Sequence, residues 1–162
     1  MSDFLATADL VDSHDDQVRL CQMQWRWFGR RRGFHGQVVT LKCFEDNSLI
    51  RATLSEDGHG KVLVVDGAGS LRCAVVGDQI AALGQKNGWA GVIINGAIRD
   101  GDALDGMEFA VLALGRAPKK STKTGQGWRD VPVTFGNVTF TPGTMVYADG
   151  DGVLVAERPL DL

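Results

Sequence analysis

Three short, unbroken apolar runs constrain the fold of this chain more than any other feature. Lys61-Val62-Leu63-Val64-Val65-Asp66 ends in the turn Gly67-Ala68-Gly69-Ser70; the others are Val92-Ile93-Ile94-Asn95-Gly96 and Glu108-Phe109-Ala110-Val111-Leu112-Ala113-Leu114. A half-buried strand alternates apolar with polar residues, whereas a run that is apolar throughout suits a strand buried on both faces of a parallel or mixed sheet. Between the first two runs, Asp78 to Asn87 puts Ile80, Ala82 and Leu83 on one side of a helix. Strand, glycine turn, helix and strand make a βαβ unit, expected to be right-handed. Elsewhere, residues 4 to 22 carry Phe4, Leu5, Leu10, Val11, Val18 and Leu20, with Thr7 or Asp9 able to cap a helix. Gln37 to Phe44 reads as a strand, Ser48 to Leu54 as a short helix entered through Glu45-Asp46-Asn47, and Ala103 to Gly106 as a turn of helix. Val131–Phe135, Val138–Phe140, Met145–Ala148 and Gly152–Ala156 read as strands, and Ala117 to Gln126 as a mobile loop. The reading is one α/β domain over residues 1–162, with a central mixed sheet, flanking helices and a β-rich C-terminal third.

Composition narrows the function classes. Hydrophobic residues make up 44 % and charged residues 23 % of 162, a globular balance. A net charge of −3 gives no electrostatic reason to expect direct nucleic-acid binding or an anionic membrane. No run of 18 apolar residues exists, so no membrane-spanning helix is expected. Met1 to Asp16 holds five aspartates and no Lys or Arg, unlike a signal peptide. Cys21, Cys43 and Cys73 are odd in number and lack CxxC spacing, so they read as reduced core thiols of a cytoplasmic protein. His14, His35 and His59 have no zinc spacing, and GxSxG is absent. The cluster Trp25-Arg26-Trp27-Phe28-Gly29-Arg30-Arg31-Arg32 could stack on RNA bases. The favoured reading is a helix that packs Trp25 and Phe28 inward and leaves the arginines solvated.

Two segments carry candidate chemistry. Asn95-Gly96-Ala97-Ile98-Arg99-Asp100-Gly101 follows a buried strand, and ligands of open α/β sheets collect at carboxyl ends of strands. Arg99 offers a planar fork that fits a carboxylate, and Asp100 a hard oxygen for Mg²⁺ or Mn²⁺. The plainer reading is a surface pair in a turn. Gly77-Asp78-Gln79-Ile80 opens the predicted helix, where exposed N–H groups attract anions, unless Asp78 is only the cap. Asp66-Gly67-Ala68-Gly69-Ser70 lacks both GxGxxG and a GK[ST] ending, so it is not a nucleotide loop.

These residues carry a resemblance. Thr7–Asp12, Val39–Leu49, Gly60–Gly67, Gly88–Val92, Gly96–Asp100, Asp130–Gly136 and Tyr147–Asp149 together make the chain similar to the family of the regulator of ribonuclease E activity A. That family also contains the class II 4-hydroxy-4-methyl-2-oxoglutarate aldolases. The resemblance covers nearly the whole chain. It is specific for the family and less so for what one member does.

The resemblance implies a swivelling β/β/α fold, phosphohistidine-domain-like, in a ring-shaped homotrimer. It implies a divalent-metal-dependent lyase that cleaves 4-hydroxy-4-methyl-2-oxoglutarate to two pyruvates, with oxaloacetate decarboxylation through the same pyruvate enolate. A small 2-oxo acid would be held by backbone at Gly77, Asp78, Gln79 and Ile80 and by Arg99. Asp100 would anchor Mg²⁺ or Mn²⁺, largely through waters. The alternative it implies is a non-catalytic protein that binds and inhibits ribonuclease E. The chain departs from the aldolase pattern at one position: the third residue after the Asp, often acidic in the aldolases, is Ala103, with Asp102 one residue early. A menaquinone methyltransferase label has also been attached to the family, but no S-adenosylmethionine-binding glycine motif is present.

Overall fold

The computed structural model describes residues 6–162, so Phe4 and Leu5 lie outside the described residues. In chain order the elements are α1 (Thr7–His14), β1 (Val18–Leu20), β2 (Arg26–Phe28), β3 (Gly33–Lys42), α2 (Ser48–Leu54), β4 (Lys61–Asp66), β5 (Ala74–Val76), α3 (Asp78–Lys86), β6 (Gly91–Asn95) and β7 (Ala97–Ile98). They continue with α4 (Gly101–Asp105), β8 (Val111–Ala113), β9 (Gly115–Arg116), β10 (Trp128–Arg129), β11 (Val133–Phe135), β12 (Val138–Phe140), β13 (Met145–Asp149) and β14 (Gly152–Ala156).

The three apolar runs sit at the middle of a mixed sheet ordered β1-β14-β13-β3-β4-β6-β8-β2, with β10 also on β3. Strands β3, β4, β6 and β8 run parallel, and the outer pairs are antiparallel. Alternation along each strand divides its apolar residues between two cores. Leu63 and Val65 of β4, with Val92 and Ile94 of β6, face a core that also takes Ile50 and Leu54 of α2, Ile80 and Ala81 of α3, and Leu104 of α4. Val62, Val64 and Ile93 face the opposite core, closed by Val133, Phe135, Val138 and Phe140 of the β11–β12 hairpin. Every side chain from Val62 to Val65 is fully buried, which explains the unbroken apolar run. Each such side chain is worth about 1.5–3 kcal/mol on burial.

A second sheet, β5-β7-β9, is parallel and small. Its strands have no more than three residues each, too short for a periodic signal in sequence. It changes the expected βαβ unit, because β4 leads through its glycine turn into β5 before α3 begins.

Two further expectations are corrected. Trp25–Arg32 contains strand β2, not a helix. Pairing of Arg26–Phe28 with Val111–Ala113 satisfies its backbone and buries Phe28, while Trp25 packs edge-on against Phe135. Thr7 does not cap α1. Its N–H and hydroxyl both donate to the Asp149 carboxylate, at 2.8 and 2.6 Å, and tie the helix to β13. The three cysteines are free and buried. Burial pushes the Cys21 thiol up to about 11, and burial with Asp46 and Asp66 nearby pushes Cys43 up to about 12, which disfavours the nucleophilic thiolate at both. Among the described residues no helix is long and apolar enough to cross a membrane.

Candidate active site

Strands β5 and β7 run side by side, with Val76 opposite Ile98. Their carboxyl ends therefore deliver Gly77-Asp78 and Arg99-Asp100 to the same place. The Arg99 N–H donates to the Val76 carbonyl at 3.0 Å and fixes the two chain ends in register. Asp100 then turns into the left-handed region, φ 58° and ψ 36°, as the residue before α4. A non-glycine residue there is uncommon, although Asp and Asn tolerate it better than most. The turn sends the Asp100 carboxylate back over the start of α3, where its Oδ2 accepts the Asp78 N–H at 3.2 Å.

Gly77 makes that arrangement possible. Its own backbone is extended, φ −125° and ψ −166°, so glycine is not needed for conformation. It is needed for space, because a Cβ at this position would lie 2.7 Å from Asp100 Oδ2. The site thus holds a carboxylate against a helix N-terminus.

Gly77, Asp78, Gln79, Ile80, Arg99 and Asp100 all line one pocket of about 170 Å³. The six candidates from the sequence come together, but at the ends of the small sheet and not of the central one. Strand β5 and four polar residues missed in the sequence complete the pocket wall: Asn47, Arg51 on α2, and Lys120 and Lys123 on the segment after β9. The only signal for the lysines was the basic character of Lys119 to Lys123, which looked like ordinary loop composition. Four cationic side chains against Asp78 and Asp100 suit an anion with more than one negative charge.

Asp102 does not replace the acidic residue absent at Ala103. Its carboxylate points away, to Arg116 at 3.1 Å, and the Arg116 guanidinium also lies over the Phe28 ring at 5.3 Å. Ala103 is exposed on α4. Among the described residues no three His, Cys, Asp or Glu groups cluster as a metal cage. Two carboxylates, Asp78 and Asp100, line the pocket, and so small a set fits a hard cation that keeps most of its waters and takes few protein ligands, as Mg²⁺ does.

The Asp66–Ser70 turn is closed on itself. Asp66 accepts from the Ala68 N–H at 2.9 Å and the Asn95 side-chain amide at 3.1 Å, while the Gly67 and Gly69 N–H groups donate to the Asn95 carbonyl. Those N–H groups are spent within the protein and cannot cradle a phosphate.

A relative from Aromatoleum aromaticum, provisionally named a 4-hydroxy-4-methyl-2-oxoglutarate aldolase, is 56 % identical over 154 residues, covering 95 % of this chain and 97 % of its own. A crystal structure from Geobacillus kaustophilus, described as an S-adenosylmethionine:2-dimethylmenaquinone methyltransferase, superposes with a TM-score of 0.94 at 46 % identity, covering 96 % of this chain and 97 % of that one. The RNA-processing inhibitor RraA from Thermus thermophilis superposes with a TM-score of 0.93 at 42 % identity, covering 99 % of this chain and 96 % of that one. The mixed α/β architecture described above is the RraA fold. Residues 7–155 match the RraA-like model, described as aldolase/RraA, and the chain belongs to the RraA-like family.

Proposed function

We propose that this chain is a divalent-metal-dependent lyase that cleaves 4-hydroxy-4-methyl-2-oxoglutarate to two pyruvates and, secondarily, decarboxylates oxaloacetate. The observation that carries the reading is the packing of Gly77 against Asp100, which puts Arg99, a carboxylate and a helix N-terminus into one cationic pocket. The N–H groups at the start of α3 and the Arg99 fork hold the substrate C1 carboxylate and 2-keto group. Asp100 would hold Mg²⁺ or Mn²⁺, which would supply polarisation of the 2-keto oxygen. The C4 hydroxyl proton passes to a water in the pocket, and cleavage of the C3–C4 bond releases one pyruvate and leaves the electron pair as a pyruvate enolate. Arg99 stabilises the developing charge in place, and a proton at C3 gives the second pyruvate. Oxaloacetate reaches the same enolate by losing CO₂.

Pyruvate release from both substrates, measured with Mg²⁺ and with EDTA, tests the reading. Turnover is expected with metal and a fall to background in EDTA. Activity unchanged in EDTA would remove the metal from the reaction. Absence of turnover on either substrate with Mg²⁺ or Mn²⁺ would favour the second reading, a non-catalytic inhibitor of ribonuclease E. That reading is supported by the likeness to the Thermus RNA-processing inhibitor and by Ala103 in place of a carboxylate. The methyltransferase name of the Geobacillus structure is not carried over. Here β4 passes into a strand and not directly into a helix, unlike a Rossmann cofactor loop.

A homotrimer in the cytoplasm completes the proposal. Phe44, Leu71 and Trp128 are each more than half exposed, which suits surfaces covered in an assembly. Sedimentation equilibrium is expected to give three times the 17.4 kDa chain mass, and a monomer would contradict it.

A further inference from the structure

Asp46 is fully buried, yet it lines no part of the pocket and pairs with no cation among the described residues. A buried carboxylate without a counter-ion is costly unless hydrogen bonds satisfy its oxygens. Here they converge on it. Its Oδ2 accepts the Thr122 hydroxyl at 2.8 Å and both the N–H and hydroxyl of Thr124 at 2.6 Å, and its Oδ1 accepts the Ser48 N–H at 3.0 Å. Burial works against the charge, but these bonds prevail and hold the carboxyl well below the usual range.

The partners of Asp46 lie in the segment that composition alone suggested to be a mobile loop. That segment is fastened at several further points. The Thr122 N–H donates to the Glu45 carbonyl at 2.9 Å, the Asn47 N–H to the Thr122 carbonyl at 3.1 Å, and the Ala74 N–H to the Lys119 carbonyl at 2.8 Å. Thr122 and Thr124 turn their hydroxyls onto Asp46, and Lys123 between them lines the pocket beside Arg99, as does Lys120.

We propose that Asp46 is a positioning residue that fixes the 119–125 segment, and through it the placement of Lys120 and Lys123, so that the pocket prefers a two-carboxylate substrate over a one-carboxylate product. This rests on the lyase reading above. The C1 carboxylate common to both molecules is met by Arg99 and the start of α3. The second carboxylate, present only in the substrate, is left to the lysines. An Asn at 46 must turn an amide NH₂ toward either the Thr124 or the Ser48 N–H, so one donor loses its acceptor and the segment loosens.

The test compares KM and kcat for 4-hydroxy-4-methyl-2-oxoglutarate with the competitive inhibition constant of pyruvate, in Asp46→Asn, Thr124→Val and Thr124→Ser. Asp46→Asn is expected to raise KM on the order of tenfold, the loss of about one charge-assisted contact, with little change in kcat or in pyruvate inhibition. Thr124→Val, on an exposed residue that leaves the core intact, is expected to shift KM the same way, and Thr124→Ser to restore it. Equal losses for substrate and pyruvate, or an unchanged KM in both Asp46→Asn and Thr124→Val, would overturn the positioning role. If the unaltered chain neither turns over the aldol nor binds pyruvate, the lyase reading itself fails and this role falls with it.

Discussion

Arg99→Lys is expected to lower kcat/KM for aldol cleavage at least a hundredfold while leaving assembly and thermal stability unchanged. The substitution keeps a positive charge at the end of β7, so a role as a general surface cation would survive it. What it removes is the planar fork that can meet a carboxylate with two parallel bonds and hold a donor on the enolate oxygen. Removing one preorganised oxyanion donor typically costs about 2.7–4 kcal/mol, or about 10²–10³ in kcat. Carboxylate binding exists before the bond breaks, so part of the loss is expected in KM. Stability is protected by the chain's construction. The Arg99 side chain is exposed, and its structural work is done by its backbone N–H on the Val76 carbonyl. A variant with near-normal turnover would place Arg99 outside the site and favour the inhibitor reading.

The site was half legible in the sequence, for physical reasons. The central strands were readable because a strand buried on both faces writes its burial as an unbroken apolar run, as Val62 to Val65 does. Helix α2 began where Glu45-Asp46-Asn47 indicated, since the Ser48 N–H is taken up by the Asp46 carboxylate two residues earlier. Arg99 and Asp100 stood out as residue types suited to a carboxylate and a hard cation, and only the family resemblance added the 2-oxo acid. Gly77 to Ile80 stood out separately, as a helix start able to attract an anion, but no local pattern joined the two segments. The pairing of β5 with β7 that joins residues 77–80 to residues 99–100 rests on strands of three and two residues, where no period exists to detect. The lysines were hidden differently. Their segment has loop composition, and what orders it is a set of long-range bonds to Asp46, 76 and 78 residues away in sequence. Trp25–Arg32 misled for a third reason: aromatic and basic residues fit a helix surface as well as an edge strand, and only pairing with β8 decides between them.

Gly77→Ala is expected to reduce metal-dependent turnover nearly as far as loss of Asp100 itself, although it adds a single methyl group. The added Cβ would lie 2.7 Å from Asp100 Oδ2 and 3.5 Å from the Arg99 Cγ. Residue 77 has extended backbone angles open to alanine, so no strain arises in the main chain. The contact is relieved by swinging the Asp100 carboxylate away from the Asp78 N–H, which would remove the proposed cation anchor and leave the core untouched. Asp100→Asn is the sharper comparison than Asp100→Ala. Asparagine tolerates the left-handed backbone that Asp100 adopts, whereas alanine there costs roughly 1–2 kcal/mol, which would mix a folding effect into the activity. Asp100→Asn keeps the shape and an acceptor for the Asp78 N–H but removes the charge, so turnover near background is expected at normal thermal stability. If Gly77 acts only by making room for that carboxylate, the two changes are not additive. The Gly77→Ala, Asp100→Asn double variant is then expected to be no worse than Asp100→Asn alone. Full additivity in kcat/KM would mean that Gly77 and Asp100 contribute separately, and that the close approach between them is packing with no part in the chemistry.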